Sequence, residues 1–238
     1  MNLNHVPEAQ RALREAEELA IDATALRKQA ALAATQGECY GYLGEHERSI
    51  AAFRRQGELY RRAGARLGEY LALGNVGSAQ LQAGEVDAAI ESLRKAVDGL
   101  RNINAPYGLD FRLSMLSIAL ALRGDAVDVP ALAREAFDQL RALGATSGPV
   151  LAAALHHARH GDPRRAVLLA GFALSEPKTN PAPPCLQLLL HVQQQVREHA
   201  LVEHSAAMVE AWLRAGEQLN DAQAAAIAFD DAPLDGPP

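Results

Sequence analysis

The sequence is poor in cysteine, in aromatic residues and in positive charge. Its 238 residues include only Cys39 and Cys185, which are too few for the disulfide framework of a small secreted domain. The formal net charge is -6, whereas a nucleic-acid-binding domain usually carries a basic face. No apolar run reaches the ~18 residues that a membrane span needs, and residues 1–11 lack the apolar core of a signal peptide. We therefore expect a cytoplasmic protein that contacts neither nucleic acid nor a membrane directly.

The residues that are abundant favour helices. Hydrophobic residues make up 49% of the chain, so it can bury a sizeable core, and most of them are alanine and leucine. Aromatic residues contribute only 5%. No segment shows the sustained alternation of apolar and polar residues that is typical of a β-strand. Composition and periodicity together predict an all-α protein.

A glycine followed by an acidic residue recurs between apolar helical patterns. The four copies are Gly44-Glu45, Gly84-Glu85, Gly124-Asp125 and Gly161-Asp162. They lie 40, 40 and 37 residues apart, and regular spacing in this range is typical of stacked helical hairpins. The glycine suits the left-handed residue that ends one helix, and the acid suits the positive end of the next helix dipole. We therefore predict four helical hairpins.

The predicted hairpins occupy most of the chain between residues 24 and 175. Their helices pair as 24–43 with 46–63, 66–83 with 86–102, 107–123 with 130–143, and 149–160 with 163–175, after a first helix over 7–22. Four prolines interrupt residues 176–184, which indicates a surface connection. Further helices are predicted over 185–199, 202–216 and 222–229, and the tail 230–238 is expected to be disordered. The domain plan is thus a repeat array over 1–175 and a C-terminal helical cap over 185–229.

This frame resembles the tetratricopeptide repeat (TPR), in a longer form with about forty residues per hairpin. The residues that carry the resemblance are Gly37, Tyr40, Gly44 and Phe53; Gly77, Gly84, Ala89, Leu93 and Ala96; Gly124, Ala133, Phe137 and Leu140; and Gly161, Ala166 and Ala173. The sequence departs from the pattern at Ser49, Gln80 and Ala170. The resemblance implies a right-handed α-solenoid, in which the first helix of each hairpin lines a concave groove that holds peptides.

The last third of the chain is similar to the C-terminal end of large bacterial ATP-dependent transcriptional regulators. The similarity depends on Gly161-Asp162-Pro163, Ala166, Gly171, Trp212, Gly216, Leu219 and the Ala-rich final helix. The phosphate-binding motif GxxxxGK[ST] and a DNA-reading helix with basic flanks are both missing from the sequence. The resemblance therefore implies a non-catalytic interaction or sensor part of a transcriptional or signalling regulator, without a cofactor.

The string HHARH is the most metal-like feature of the sequence. His156 and His160 lie one helical turn apart and are able to offer two imidazoles to zinc. The string lacks the glutamate of an HExxH motif, and histidines are also favoured at the negative end of a helix. We adopt this second interpretation and predict neither a metal site nor a catalytic residue. A metalloprotein or hydrolase centred on these histidines is the alternative.

The TPR resemblance also assigns a partner-binding groove to this sequence. The residues at groove positions are Ala34, Glu38 and Tyr42; Ser78, Leu81 and Gln82; Phe111, Ser114, Ile118 and Leu122; and Leu151, Leu155 and Arg159. This lining is largely apolar and lacks the cluster of Lys and Arg that clamps a carboxylate terminus. We therefore expect it to bind an amphipathic helix, from a partner protein or from residues 202–229 of this chain. Two alternatives stay open: the groove senses a small molecule, or these residues only pack between helices.

Overall fold

The structure is a computed structural model that describes residues 25–125, 127–175 and 183–230, together with Arg11. From residue 25 onward, the described residues form eleven α-helices and one short 3-10 helix, Arg141–Leu143, and they contain no β-strand. The α-helices are α1 (Leu26–Tyr42), α2 (His46–Arg62), α3 (Arg66–Gln82), α4 (Val86–Asn102), α5 (Leu109–Arg123), α6 (Val129–Leu140), α7 (Ser147–Arg159), α8 (Pro163–Ser175), α9 (Pro183–Leu201), α10 (Ala206–Gly216) and α11 (Asp221–Phe229). The predicted all-α fold class is confirmed for this part of the chain.

The helices of the four predicted hairpins correspond in chain order to α1 and α2, α3 and α4, α5 and α6, and α7 and α8. Of these pairs, α1 packs on α2, α3 on α4 and α7 on α8. The clearest difference from the prediction is at α10, which begins at Ala206 rather than near residue 202. The cause is Ser205, whose hydroxyl accepts a hydrogen bond from the backbone N–H of Met208 at 3.4 Å and caps the helix there. The predicted helix over 7–22, most of the Pro-rich connection and the tail after residue 230 lie outside the described residues.

The helices end at a regular ladder of left-handed residues. Six of these residues lie 20 positions apart, with φ between 52° and 94°: Gly44, Gly64, Gly84, Asn104, Gly124 and Gly144. Because α1 to α4 are each 17 residues long, three residues are left for each turn between them. The residue after the left-handed one donates its backbone N–H to the carbonyl five positions earlier, as Glu45 does to Tyr40 at 2.9 Å. The left-handed residues therefore recur every 20 positions, which is half of the 40-residue spacing of the glycine–acid pairs.

The chain divides into two compact units, residues 1–112 and 113–238, with the boundary inside α5. In the first unit α1 packs on α2, α2 on α3, and α3 on α4. On α4, Ala89, Leu93 and Ala96, which lie on one face of the helix, are completely buried. Leu93 fills the space beside Gly77, where an added Cβ would lie 2.6 Å from the Leu93 Cγ. Small and large side chains thus interlock between neighbouring helices.

The second unit is organised around the hairpin of α7 and α8. Helix α6 packs on α7, α9 packs on both α7 and α8, and α10 packs mainly on α8. The last helix, α11, contacts α6, α7 and α8. The predicted division at residues 176–184 therefore falls inside this unit, because the helices that follow it pack on the fourth hairpin.

Two glycines allow α8 and α10 to cross at very short distance. A Cβ added to Gly216 would lie 2.0 Å from the carbonyl oxygen of Leu168 and 3.1 Å from the Cα of Gly171. A Cβ added to Gly171 would lie 2.2 Å from the carbonyl oxygen of Leu213. Backbone thus meets backbone at this crossing, which only residues without a side chain permit.

Candidate functional site

The predicted groove residues separate into buried and accessible side chains. The buried ones are Ser78, Leu81, Ser114, Ile118, Leu151 and Leu155. Ile118, Leu151 and Leu155 expose none of their surface. In this structure these three side chains contribute to the packing of the chain.

The packing of the second unit explains why its groove positions are buried. Helix α9 lies against α7, the helix that carries Leu151 and Leu155. At the start of α7, Gly148 approaches α5, because an added Cβ would lie 2.3 Å from the Oγ of Ser114 and 3.6 Å from the Cδ1 of Ile118. The second unit therefore covers these positions with its own chain.

Arg159, which is also predicted at the groove, caps the end of α5. Its Nη1 donates to the carbonyl oxygens of Ala121 at 2.6 Å and Leu122 at 2.9 Å, and its Nη2 lies 3.5 Å from the Oε1 of Gln195. The last carbonyls of a helix lack partners within the helix and carry partial negative charge, so a guanidinium stabilises them. Leu122 itself is half-buried. Arg159 thus joins helices of the second unit, and its guanidinium is committed to that contact.

Four accessible groove residues of the first unit lie on α1 and α3. Glu38 and Tyr42 are exposed, and Ala34 and Gln82 are half-buried. A Cβ added to Gly41 would lie 3.8 Å from the Oε1 of Gln82, so the ends of α1 and α3 are neighbours here. Although Glu38 is exposed, nearby protein atoms remove part of its solvation, and this raises the pKa of its carboxyl group above the usual value. We call Ala34, Glu38, Gly41, Tyr42 and Gln82 the α1–α3 face.

Phe111, the remaining groove residue of the first unit, is half-buried beside Arg112. The Arg112 guanidinium lies 5.6 Å from the centroid of the Phe111 ring, and it donates to the Leu71 carbonyl at 3.0 Å and to the Oδ1 of Asn75 at 2.7 Å. Asn75 in turn donates to the Oε1 of Gln56 at 3.3 Å. Burial lowers the pKa of Arg112 from its usual value. No pattern in the sequence indicates this network, because its members come from α2, α3 and the start of α5.

The histidines of HHARH lie at the end of α7 and contact backbone atoms. The Nδ1 of His160 is 2.7 Å from the carbonyl oxygen of His156, and the two rings stack with centroids 4.2 Å apart. The Nε2 of His157 is 3.1 Å from the carbonyl oxygen of Ala228. Within the ranges that the structure describes, no group of three or more His, Cys, Asp and Glu side chains is arranged to hold a metal ion. The observed contacts are those of histidines at a helix end.

We expect His156 to make the stability of the chain depend on pH. Partial burial, together with the neighbouring His160 and His157, lowers the pKa of this imidazole from 6.5 to about 4. The unfolded chain takes up a proton there as the pH falls through 6.5, whereas the folded chain does so only near pH 4. The free energy of unfolding therefore has its full value above pH 6.5, where the imidazole is neutral in both states. It falls as the pH drops from 6.5 towards 4.

Thermal denaturation between pH 7 and pH 4, with His156→Gln as the comparison, measures this effect. The midpoint of the wild-type protein should fall more steeply with acidification than that of the variant, which cannot take up the proton. An NMR titration of the His156 ring in the folded protein gives an independent reading. A titration midpoint near the ordinary value of 6.5 would contradict the expectation.

The last helix, α11, is held at its C-terminal end by side chains from the hairpin of α7 and α8. Arg165 donates from Nη1 to the carbonyl oxygen of Ile227 at 2.7 Å. His157 meets the carbonyl oxygen of Ala228, and because a carbonyl only accepts, the Nε2 atom must carry the proton. Both contacts satisfy carbonyls of the last turn, which have no partner inside the helix. Two side chains thus bind the end of α11 through its backbone.

Two side chains of α6 contact the residues at the end of α11. Arg134 forms an ion pair with Asp230 at 2.5 Å, and its guanidinium lies 5.6 Å from the centroid of the Phe229 ring. The Phe229 ring also packs edge-on against the ring of Phe137, with centroids 5.6 Å apart. We call Arg134, Phe137, His157 and Arg165 the α11 seat.

Comparison with known proteins does not add to this picture: no protein-family model matches the chain, and no curated protein does. Of the helices that the structure describes, none has both the length and the apolarity required to cross a membrane.

Proposed function

We propose that this chain is a non-catalytic protein-interaction or sensor module that binds a peptide or a helix of a partner protein. The proposal includes the right-handed, tetratricopeptide-like stacking of the hairpins, with residues 185–229 as a C-terminal cap. It also includes a place in the cytoplasm, in a bacterial transcriptional or signalling regulator. The observation that carries the binding role is the α1–α3 face, where groove positions of the first unit are accessible.

The α1–α3 face offers three kinds of contact to a partner. Glu38 presents a carboxylate that is exposed but partly desolvated, so a cation or a hydrogen-bond donor from a partner would stabilise its charged form. Tyr42 presents an aromatic ring that is 37% exposed, and Gly41 has no side chain to keep a partner backbone at a distance. Gln82 adds an amide that is able to donate and to accept. This combination suits a peptide segment that carries Lys or Arg beside a small residue.

The accessible face is more polar than the groove that the sequence predicts. The groove positions with large aliphatic side chains, Leu81, Ile118, Leu151 and Leu155, are buried, whereas the α1–α3 face presents a carboxylate, a phenol and an amide. We infer that a partner is selected here by charge and hydrogen bonds more than by an apolar stripe. An amphipathic helix would fit if it directed a cationic side chain towards Glu38.

Affinity capture from a cell lysate with the full chain tests this proposal. Glu38→Lys reverses the charge of the face, and Glu47→Lys makes the same change at an exposed position of α2 as a matched control. We expect a bound protein to be retained by the wild type and by Glu47→Lys, and to be reduced about tenfold or more by Glu38→Lys, since about 1.4 kcal/mol corresponds to tenfold in affinity. Thermal denaturation checks that both variants are folded. Equal capture by all three proteins would exclude the face as the binding site.

The small-molecule alternative gives a different result with the same variants. A metabolite that binds the folded chain raises its thermal midpoint by mass action. If a metabolite raised the midpoint of the wild type and of Glu47→Lys but not of Glu38→Lys, the face would be a sensor site for a small ligand.

A further inference from the structure

The α11 seat is chemically specific for one end of a helix. Arg165 and His157 bind backbone carbonyls of the last turn, and every helix presents such carbonyls at its C-terminus. Arg134 and Phe137 then select the side chains, because one pairs with an acid and both contact an aromatic ring. A helix that ends in an aromatic residue followed by an acidic one satisfies all four side chains.

Arg165 of the seat also makes contacts that do not involve α11. The Nε of Arg165 donates to the Oδ2 of Asp162 at 2.9 Å, and the Oδ1 of the same aspartate accepts from the backbone N–H of Arg165 at 3.0 Å. Asp162 thus caps α8, whose first residue is Pro163. The guanidinium therefore has an anchor in Asp162 in addition to its contact with α11, and a side chain that is already oriented binds at a lower entropic cost.

Helix α11 is a short element that depends on few buried contacts. It has nine residues, and isolated helices of this length are marginal in water. Only Ala224 and Ala228 are buried. At its start Asn220 and Gln223 form a reciprocal cap, with both hydrogen bonds at 3.0 Å, so the helix closes on itself there. The contacts with Arg134, His157 and Arg165 described above hold residues 227–230, so the C-terminal end of the helix is where its side-chain anchors lie.

We propose that the α11 seat is a recognition site for a partner helix that ends in an aromatic residue followed by an acidic one, and that α11 is its intramolecular competitor. Four residues, 217–220, connect α10 to α11 and hold it at a high effective concentration. The free chain therefore keeps its own helix in the seat, and a partner helix enters when it binds more tightly than α11. The site is separate from the α1–α3 face and belongs to the other unit.

A labelled synthetic peptide with the sequence of residues 219–230 tests the proposal by fluorescence anisotropy. The titrated proteins are the full wild-type chain and the full chain with Phe229→Ala, which weakens the resident helix. We expect the peptide to bind the variant at least about tenfold more tightly than the wild type, because its competitor has lost the aromatic anchor. Adding Arg134→Ala and Arg165→Met to the variant should remove this binding.

Two controls make the result specific. A peptide with alanine at the counterparts of Phe229 and Asp230 should bind at least about tenfold more weakly to the Phe229→Ala chain. Glu38→Lys, in the first unit, should leave peptide binding unchanged, so that loss of one site is distinguished from loss of the other. The proposal is overturned if the peptide binds wild type and Phe229→Ala equally, or if the control peptide binds as well as the natural sequence.

Hydrogen exchange on the unmodified full chain covers the case in which Phe229→Ala fails to fold. If α11 leaves the seat on its own, its amides should exchange faster than the central amides of α7 and α8. Excess peptide should not slow exchange at residues 157–165 below the rate of the chain alone, because the peptide takes the place of α11. Exchange of α11 at the same slow rate as α7 and α8 would mean that it opens only when the unit unfolds, and would overturn the competitor role.

Discussion

Replacing Gly216 with alanine should lower the free energy of unfolding by about 3 kcal/mol or more. The added methyl group would lie 2.0 Å from the carbonyl oxygen of Leu168 and 3.1 Å from the Cα of Gly171, and both atoms belong to the backbone of α8. A side chain could rotate away from such a contact, whereas a helix backbone relieves it only if α10 moves as a whole. Gly171→Ala should have a similar effect, because its Cβ would lie 2.2 Å from the carbonyl oxygen of Leu213. Urea denaturation followed by circular dichroism measures the loss.

Gly41→Ala is the matched control for these two substitutions. It adds the same methyl group to α1, where the nearest atoms would be the Oγ of Ser49 at 3.6 Å and the Oε1 of Gln82 at 3.8 Å. These are ordinary contacts, and alanine favours a helix more than glycine does. We therefore expect Gly41→Ala to raise the free energy of unfolding by about 0.5–1 kcal/mol. If Gly216→Ala were as stable as Gly41→Ala, the close crossing of α8 and α10 would be contradicted.

The turns inside the hairpins are predictable because they carry a local signal. At Gly44 and its counterparts, a glycine and an acid together mark the end of one helix and the start of the next. The turns between hairpins, at Gly64, Asn104 and Gly144, adopt the same left-handed geometry without the acid. The pair therefore marks four of these seven turns. The turn at Asn104 has no glycine at all, because asparagine also tolerates this geometry.

The groove is less predictable than the hairpins, because exposure depends on helices that are distant in the sequence. Periodicity shows that Leu151 and Leu155 share an apolar face of α7, but it does not show which element packs on that face. In the structure α9 packs on α7, although a Pro-rich stretch of sequence follows α8 before α9. Positions taken from a family pattern are accessible only where no additional helix of the same chain occupies them.

The α11 seat has almost no sequence signal. Arg165 and His157 bind backbone carbonyls, and any residue of α11 would supply a carbonyl at those positions. In the sequence both residues have a local interpretation as well, one beside the cap of α8 and one at the end of α7. Asn220 and Asp221 are both residue types that favour a helix start, so the sequence indicates only that a helix follows; in the structure Asn220 is the cap. The helices on which α11 packs are known only from the folded structure.

Leu155→Asp should abolish the cooperative unfolding transition of the second unit. Leu155 exposes none of its surface and lies on α7, which contacts α6, α8, α9 and α11. Removing a buried leucine side chain costs about 2–5 kcal/mol by itself, and burying a carboxyl group without a partner adds several kcal/mol more. Since the total stability of a domain is ~5–15 kcal/mol, little or none would remain. Circular dichroism and urea denaturation of the full chain measure the result.

Ala158→Asp, one turn further along α7, provides the matched comparison. Ala158 is half-buried, so the new carboxylate keeps contact with water, and its main cost is its place near the negative end of the helix dipole. We expect a loss of about 1 kcal/mol or less. A Leu155→Asp chain as stable as Ala158→Asp would show that Leu155 is exposed in solution. It would also return this leucine to the peptide-binding groove that the tetratricopeptide resemblance assigns to it.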